Sequence, residues 1–132
     1  MEWVIIIVAG AVVWLWFKMS TIKKINHAFV MDVVGESFKN PDGTPRQKII
    51  AALSEGAAVD LVAEPDNAYD DKAVAVMTPG GQIGYLPAGR CVDVFNRLTR
   101  GEKVPAAVHE IRGGAQGQWH RGVWIAIGKA DA

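Results

Sequence analysis

The stretch AVDLVAEPDNAYDDKAVAVMTPGGQIGYLP, residues 58–87, decides how this chain folds. In residues 58–64, Val59, Leu61 and Ala63 alternate with Asp60 and Val62, the period of a strand with one face buried. PDNAYDD at 65–71 is rich in short polar side chains that bond their own backbone, so Asp66 and Asn67 read as Asx-turn residues. KAVAVMT at 72–78 is a second strand running to Pro79. Gly80 and Gly81 make a hairpin turn, and QIGYLP at 82–87 resumes the sheet.

Working outward, RQKIIAALSEG sets Ile49, Ile50 and Leu53 at helical spacing before Gly56, which predicts a short helix over Arg46–Ser54. His27 to Val34 predicts a first strand, and the turn-rich loop ESFKNPDGTP at 36–45 follows it. Between Ala88 and Arg100, the residues Cys91, Val94, Phe95 and Leu98 form the apolar stripe of a second helix closed by Gly101. VPAAVHEIR at 104–112 and GVWIAIG at 122–128 are the last strands. The expected class is mainly β with two short helices (α+β), its six strands forming a small closed or nearly closed barrel.

Residues 1–24 are unlike the rest. Trp3 to Phe17, WVIIIVAGAVVWLWF, has no charged residue and ends at Lys18. A helix needs roughly 17 to 25 apolar residues to cross a bilayer, so residues 3–22 suffice for a transmembrane anchor with little tilt. A cleavable signal peptide is disfavoured, because Glu2 stands where a basic residue is expected and no small-x-small site follows Phe17. Lys18, Lys23 and Lys24 lie on the C-terminal side, which places the domain at 25–132 in the cytoplasm of a single-pass protein. Setting aside those lysines and Glu2, residues 25–132 hold 11 basic against 13 acidic residues. A duplex-binding protein usually carries a cationic surplus, so any nucleic-acid site here is local. Cys91 is the only cysteine, which excludes an intrachain disulfide and any zinc site with two thiolates.

No catalytic constellation is legible. Glu64, Asp66, Asp70 and Asp71 crowd one turn, yet they lack the Gly and the alternate spacing of a calcium loop. His27, His109 and His120 lie far apart, Ser37 and Ser54 have no visible His and Asp partners, and no phosphate loop occurs. Cys91 on an apolar stripe reads as a buried small hydrophobe. More suggestive are aromatic and basic residues in or next to turns: Phe38, Lys39, Arg46, Lys48, Tyr69, Tyr85, Arg112, Trp119 and Arg121. Single strands bind by stacking bases on such rings while cations follow the backbone.

Read together, VVGESF at 33–38, RQKIIAAL at 46–53, EPDNAYDDKAVAV at 64–76 and IGYLP at 83–87 resemble the HIRAN domain, over roughly residues 26–128. The resemblance implies an OB-like six-stranded barrel, here preceded by one transmembrane helix, that recognises DNA, notably single-stranded 3′ ends. It implies a pocket built from Ser37 and Phe38, from Tyr69 and Asp70, and from Tyr85, with Lys39 and Arg46 nearby. Phe38 and Tyr69 would stack on bases, and Asp70 would accept a hydrogen bond from a base edge or a terminal hydroxyl. Where DNA-end-binding members carry an Arg in the first loop, this chain has Glu36, Ser37, Phe38 and Lys39, so Arg46, Arg112 or Arg121 would have to compensate. The expected protein is a membrane-anchored, non-catalytic module for single-stranded DNA or DNA ends, with no cofactor or metal. The family's hydrolase and zinc associations belong to fusion partners. The alternative is a module that holds a protein partner at the cytoplasmic membrane face, DNA being irrelevant.

Overall fold

The computed structural model describes residues 27–115 and 117–128. The expected anchor over residues 3–22, with its basic flank, and the side chain of His27 lie outside the described residues. Among the described residues no helix is long and apolar enough to cross a membrane.

Six strands form one antiparallel sheet: β1 (His27–Asp32), β2 (Ala58–Glu64), β3 (Ala73–Thr78), β4 (Gly81–Tyr85), β5 (Ala106–Arg112) and β6 (Gly122–Gly128), in the order β1-β6-β5-β2-β3-β4. Strand β2 serves two ladders. Its first residues, Ala58 and Val59, pair with β5, while Asp60–Glu64 pair with β3. A strand divided in this way turns the corner between two layers. Between the layers lies the core, in which Ile50, Ile83, Leu86, Ile125 and Ile127 are fully buried.

The two helices are shorter than the apolar spacing predicts. Helix α1 (Arg46–Ala51) packs on β4, and helix α2 (Val92–Thr99) packs on β2 and β3. After Ala51 the amides of Ala52 and Leu53 bond the carbonyls of Ile49 and Ile50 three residues back, which tightens the turn and ends α1 before Ser54. Residues 87–90 are taken by a turn closed from Arg90 N–H to Pro87 O, so α2 starts only after Cys91. The buried Arg97 pins α2 to the last strand: its Nη2 donates to Gly128 O at 3.0 Å, and its Nε lies 3.8 Å from Glu102.

The sheet is not closed, which corrects the expectation of a barrel. Strand β1 ends at Asp32 rather than Val34 because the chain changes partner there. Val33 N–H still bonds Val123 O of β6, whereas Val34 exchanges two backbone hydrogen bonds with Tyr85, at 2.8 and 2.9 Å. That single bridge joins the ends of the two edge strands, and no ladder follows. At Gly35, with φ +74°, the chain turns away, and Phe38 N–H bonds Gly35 O. A pairing this short brings the edges together at one point only.

Gly84 makes the bridge possible. A Cβ there would lie 2.4 Å from Val34 O and 2.5 Å from a Val33 methyl carbon, and backbone cannot yield as a side chain can. Gly84→Ala is expected to destabilise the domain by about 1–3 kcal/mol through overpacking, seen as a lower denaturant midpoint with an unchanged slope. A midpoint equal to that of the parent protein would mean that the edges separate without cost.

Candidate nucleic-acid interface

The turn between β2 and β3 is organised by one side chain. Asn67 Oδ1 accepts the backbone N–H groups of Tyr69 (2.9 Å) and Asp70 (3.1 Å), the Asx turn that the sequence suggests. Asn67 Nδ2 donates to Glu64 Oε1 at 3.0 Å, and the Tyr85 hydroxyl donates to the same oxygen at 2.9 Å. Glu64, at the end of β2, therefore ties the turn to the end of β4. Asp70 Oδ1 accepts Lys72 N–H at 2.9 Å, and Asp70 O accepts Ala73 N–H, so the turn is bonded on both sides of Tyr69. Tyr69 itself is 98% exposed.

Facing this turn is the loop between β1 and α1. Arg46 is buried at the start of α1, where its Nε donates to Asn40 Oδ1 (2.8 Å) and its Nη1 to Gly35 O (2.9 Å). Asn40 Nδ2 donates in turn to Gln82 O on β4. The guanidinium carbon lies 5.6 Å from the centroid of the Tyr85 ring, within reach of a cation–π attraction. Gly35 leaves room for this cation, since a Cβ there would meet Arg46 Nη1 at 3.2 Å. Phe38 stands 66% exposed on the same loop.

Loop and turn enclose a cavity of about 650 Å³. Of the residues expected in a pocket, Phe38, Lys39, Arg46, Tyr69, Asp70 and Tyr85 all line it. Ser37 is exposed beside the cavity and is not part of its lining: in the turn closed from Phe38 N–H to Gly35 O, it is Phe38 that lines the cavity. Neither Arg112 nor Arg121 reaches the cavity. Arg112 lies over the Trp124 ring at 4.4 Å and pairs with Glu110 beside a second, smaller cavity. Arg46 is thus the arginine that lines the first cavity.

Sequence reasoning missed the supports. In the sequence Glu64 reads as a crowded carboxylate and Asn67 as a turn former, but both bond the Tyr85 hydroxyl, which lies 21 positions from Glu64. Asn40 gave no signal, because its role depends on β4 and α1 meeting. Val34, Ala68, Leu86 and Ala88 add apolar wall.

Cys91 is fully buried behind this site, and its thiol donates to Lys72 O at 3.3 Å. Burial pushes its pKa up, and the negative charge of Asp70 adds to the effect. A raised pKa leaves less thiolate at any given pH, so Cys91 is expected to react with an aromatic disulfide only on unfolding. Stoichiometric labelling of the native protein at pH 8 would contradict that. Among the described residues no group of three or more His, Cys, Asp or Glu is placed to share a metal ion.

An open antiparallel sheet whose edges meet beside a cavity, with exposed aromatics on its rim and a braced arginine in its wall, defines the chain as an open-sheet α+β domain. The model of the HIRAN domain family matches residues 28–120, and the chain belongs to that family. Its fold is similar to the crystal structure of a protein from Lactobacillus plantarum, with 22% identity and a TM-score of 0.58 over 78% of this chain and 95% of that one. It is also similar to the crystal structure of the HIRAN domain of human HLTF, with 18% identity and a TM-score of 0.51 over 76% of this chain and 75% of that one. No curated protein matches the sequence.

Asn67→Ala is expected to cost about 0.5–2 kcal/mol, because it removes the side-chain bonds of two turn amides, one of them exposed to water, and a bond to Glu64. It should also speed amide exchange at Tyr69 and Asp70 before any other site. Exchange at those amides no faster than in the parent protein would show that the turn holds without its side-chain bonds.

Proposed function

We propose that this HIRAN domain binds single-stranded DNA, at or near a 3′ end, in the 650 Å³ cavity, and that it does so without catalysing a reaction. The observation that carries the reading is the gathering of Phe38, Lys39, Arg46, Tyr69, Asp70 and Tyr85, from four separate segments, around one opening. Phe38 and Tyr69 offer faces on which bases stack, and the cost of leaving two large rings in water is offset when bases cover them. Lys39 and Arg46 meet phosphate oxygens. Asp70 accepts a hydrogen bond from a base edge or a terminal hydroxyl, and a carboxylate in that position disfavours a terminal phosphate. Arg46 supplies the cation that the first loop lacks, and its bonds to Asn40 and Gly35 hold it ready before any ligand arrives.

The domain sits at the cytoplasmic face of a membrane, held by residues 3–22. The uncharged run Trp3–Phe17 and the lysines at 18, 23 and 24 support that placement. A reporter fused after Ala132 is expected to be active only in the cytoplasm, and activity on the far side would reverse the topology. A second reading, that the surface of the domain holds a protein partner at the membrane with DNA irrelevant, is supported by the acidic surplus of residues 25–132.

The two readings separate in one titration. Protein comprising residues 1–132 in detergent micelles is expected to bind labelled single strands ending in a 3′ hydroxyl better than the same strands ending in a 3′ phosphate. Affinity should fall with salt by about 0.7 log units per log unit of salt for each phosphate neutralised. Phe38→Ala and Tyr69→Ala should each weaken binding by about 1–3 kcal/mol. Binding to neither strand by folded protein would remove DNA and favour the protein partner. Nucleotide turnover abolished by Asp70→Asn would refute the non-catalytic assignment.

A further inference from the structure

Among the described residues three aromatic side chains are largely exposed: Tyr69 at 98%, Trp119 at 69% and Phe38 at 66%. Tyr69 and Phe38 belong to the cavity, whereas Trp119 lies on the hairpin between β5 and β6 and lines neither cavity. Single exposed apolar residues are ordinary, but the surroundings of Trp119 are not. The hairpin is fastened to the loop that carries Phe38: His120 Nε2 lies 3.3 Å from Glu36 Oε1. Gln47 completes the junction, since its Nε2 donates to both Glu36 O and Arg121 O while its Oε1 accepts Arg121 N–H at 2.8 Å. Phe38 is two residues from one side of the His120–Glu36 contact, and Trp119 is one residue from the other. The hairpin is also closely packed. A Cβ on Gly113 would lie 2.0 Å from His120 O, and one on Gly114 would lie 2.4 Å from Arg121 Nε, so the Arg121 side chain is laid across Gly114.

From this junction we infer that the β5–β6 hairpin is a second stacking station for the same strand. DNA leaving the cavity passes over Phe38, sets a further base on Trp119 and brings a phosphate to Arg121. The inference rests on the proposal that the cavity binds single-stranded DNA, and it adds a direction of exit and a longer footprint. Two stacking stations on one rigid junction fit the range of about 4–16 nucleotides that a single small β domain occupies. The hairpin recognises the strand without reading sequence, because every base offers a face and every step a phosphate.

The test uses residues 1–132 in detergent micelles with labelled oligothymidylates of two and eight nucleotides, each with a free 3′ hydroxyl. Trp119→Ala is expected to leave the dinucleotide Kd unchanged and to weaken the octanucleotide by roughly 5- to 150-fold, the equivalent of one lost stack. Trp119→Phe should restore most of the octanucleotide affinity, and Arg121→Gln should lower the octanucleotide salt slope by about one phosphate contact. Phe38→Ala should weaken both ligands. Equal losses for both ligands with Trp119→Ala would mean that Trp119 acts through the loop, and this would overturn the station. Wild-type binding of both ligands with no effect of Trp119→Ala would also overturn it and leave the cavity reading intact. Wild-type binding of neither would instead sink the cavity reading on which the station depends.

Discussion

Two backbone hydrogen bonds between Val34 and Tyr85 hold the functional end of this domain together. They join the ends of strands that lie at opposite edges of the sheet, and they do so where β1 has already stopped pairing with β6. One flank of the bridge leads into the Phe38 loop, and the other flank presents the Tyr85 ring. Gly84 is the concession that allows the two backbones to approach, since any side chain there would strike the Val34 carbonyl. Because the edges meet at one bridge only, the opening beside it stays wide enough to be a cavity.

Around that bridge the polar side chains act as braces. Glu64 receives two hydrogen bonds on one oxygen and so couples the turn at Asn67 to Tyr85. Arg46 spans the other side, from Gly35 to Asn40, and Asn40 reaches β4. The aromatic rings that would meet a ligand are therefore exposed, but the backbone that carries them is pinned. Such an arrangement lowers the ordering cost of binding.

Much of the architecture was legible because it rests on local pattern. The alternation in AVDLVAE predicts β2 to the residue, and the final strand at Gly122–Gly128 falls where expected, whereas the hairpin turns at Pro79–Gly80 rather than Gly80–Gly81, because Gly81 already pairs with Thr78 as the first residue of β4. The helices were overextended because apolar spacing continues through Leu53 and begins at Cys91, whereas tight turns at 52–53 and 87–90 compete for the same backbone. Closure of the sheet was misjudged, because strand number and length do not say where an edge strand leaves its neighbour.

The sequence by itself determined the class, the six strands and the turn at Asn67, and its resemblance to the HIRAN domain named Phe38, Lys39, Arg46, Tyr69, Asp70 and Tyr85, which the fold brings to one cavity. Period, turn chemistry and short motifs act over a few residues and can be read along the chain. Only the tertiary structure decided which of Arg46, Arg112 and Arg121 enters the cavity, that Ser37 stays out of it, and that the β5–β6 hairpin is bolted to the Phe38 loop. Those outcomes depend on side chains up to 84 positions apart being brought within hydrogen-bond reach, as Glu36 and His120 are. No local pattern encodes that distance, because it is set by the packing of sheet edges that the chain reaches by different routes.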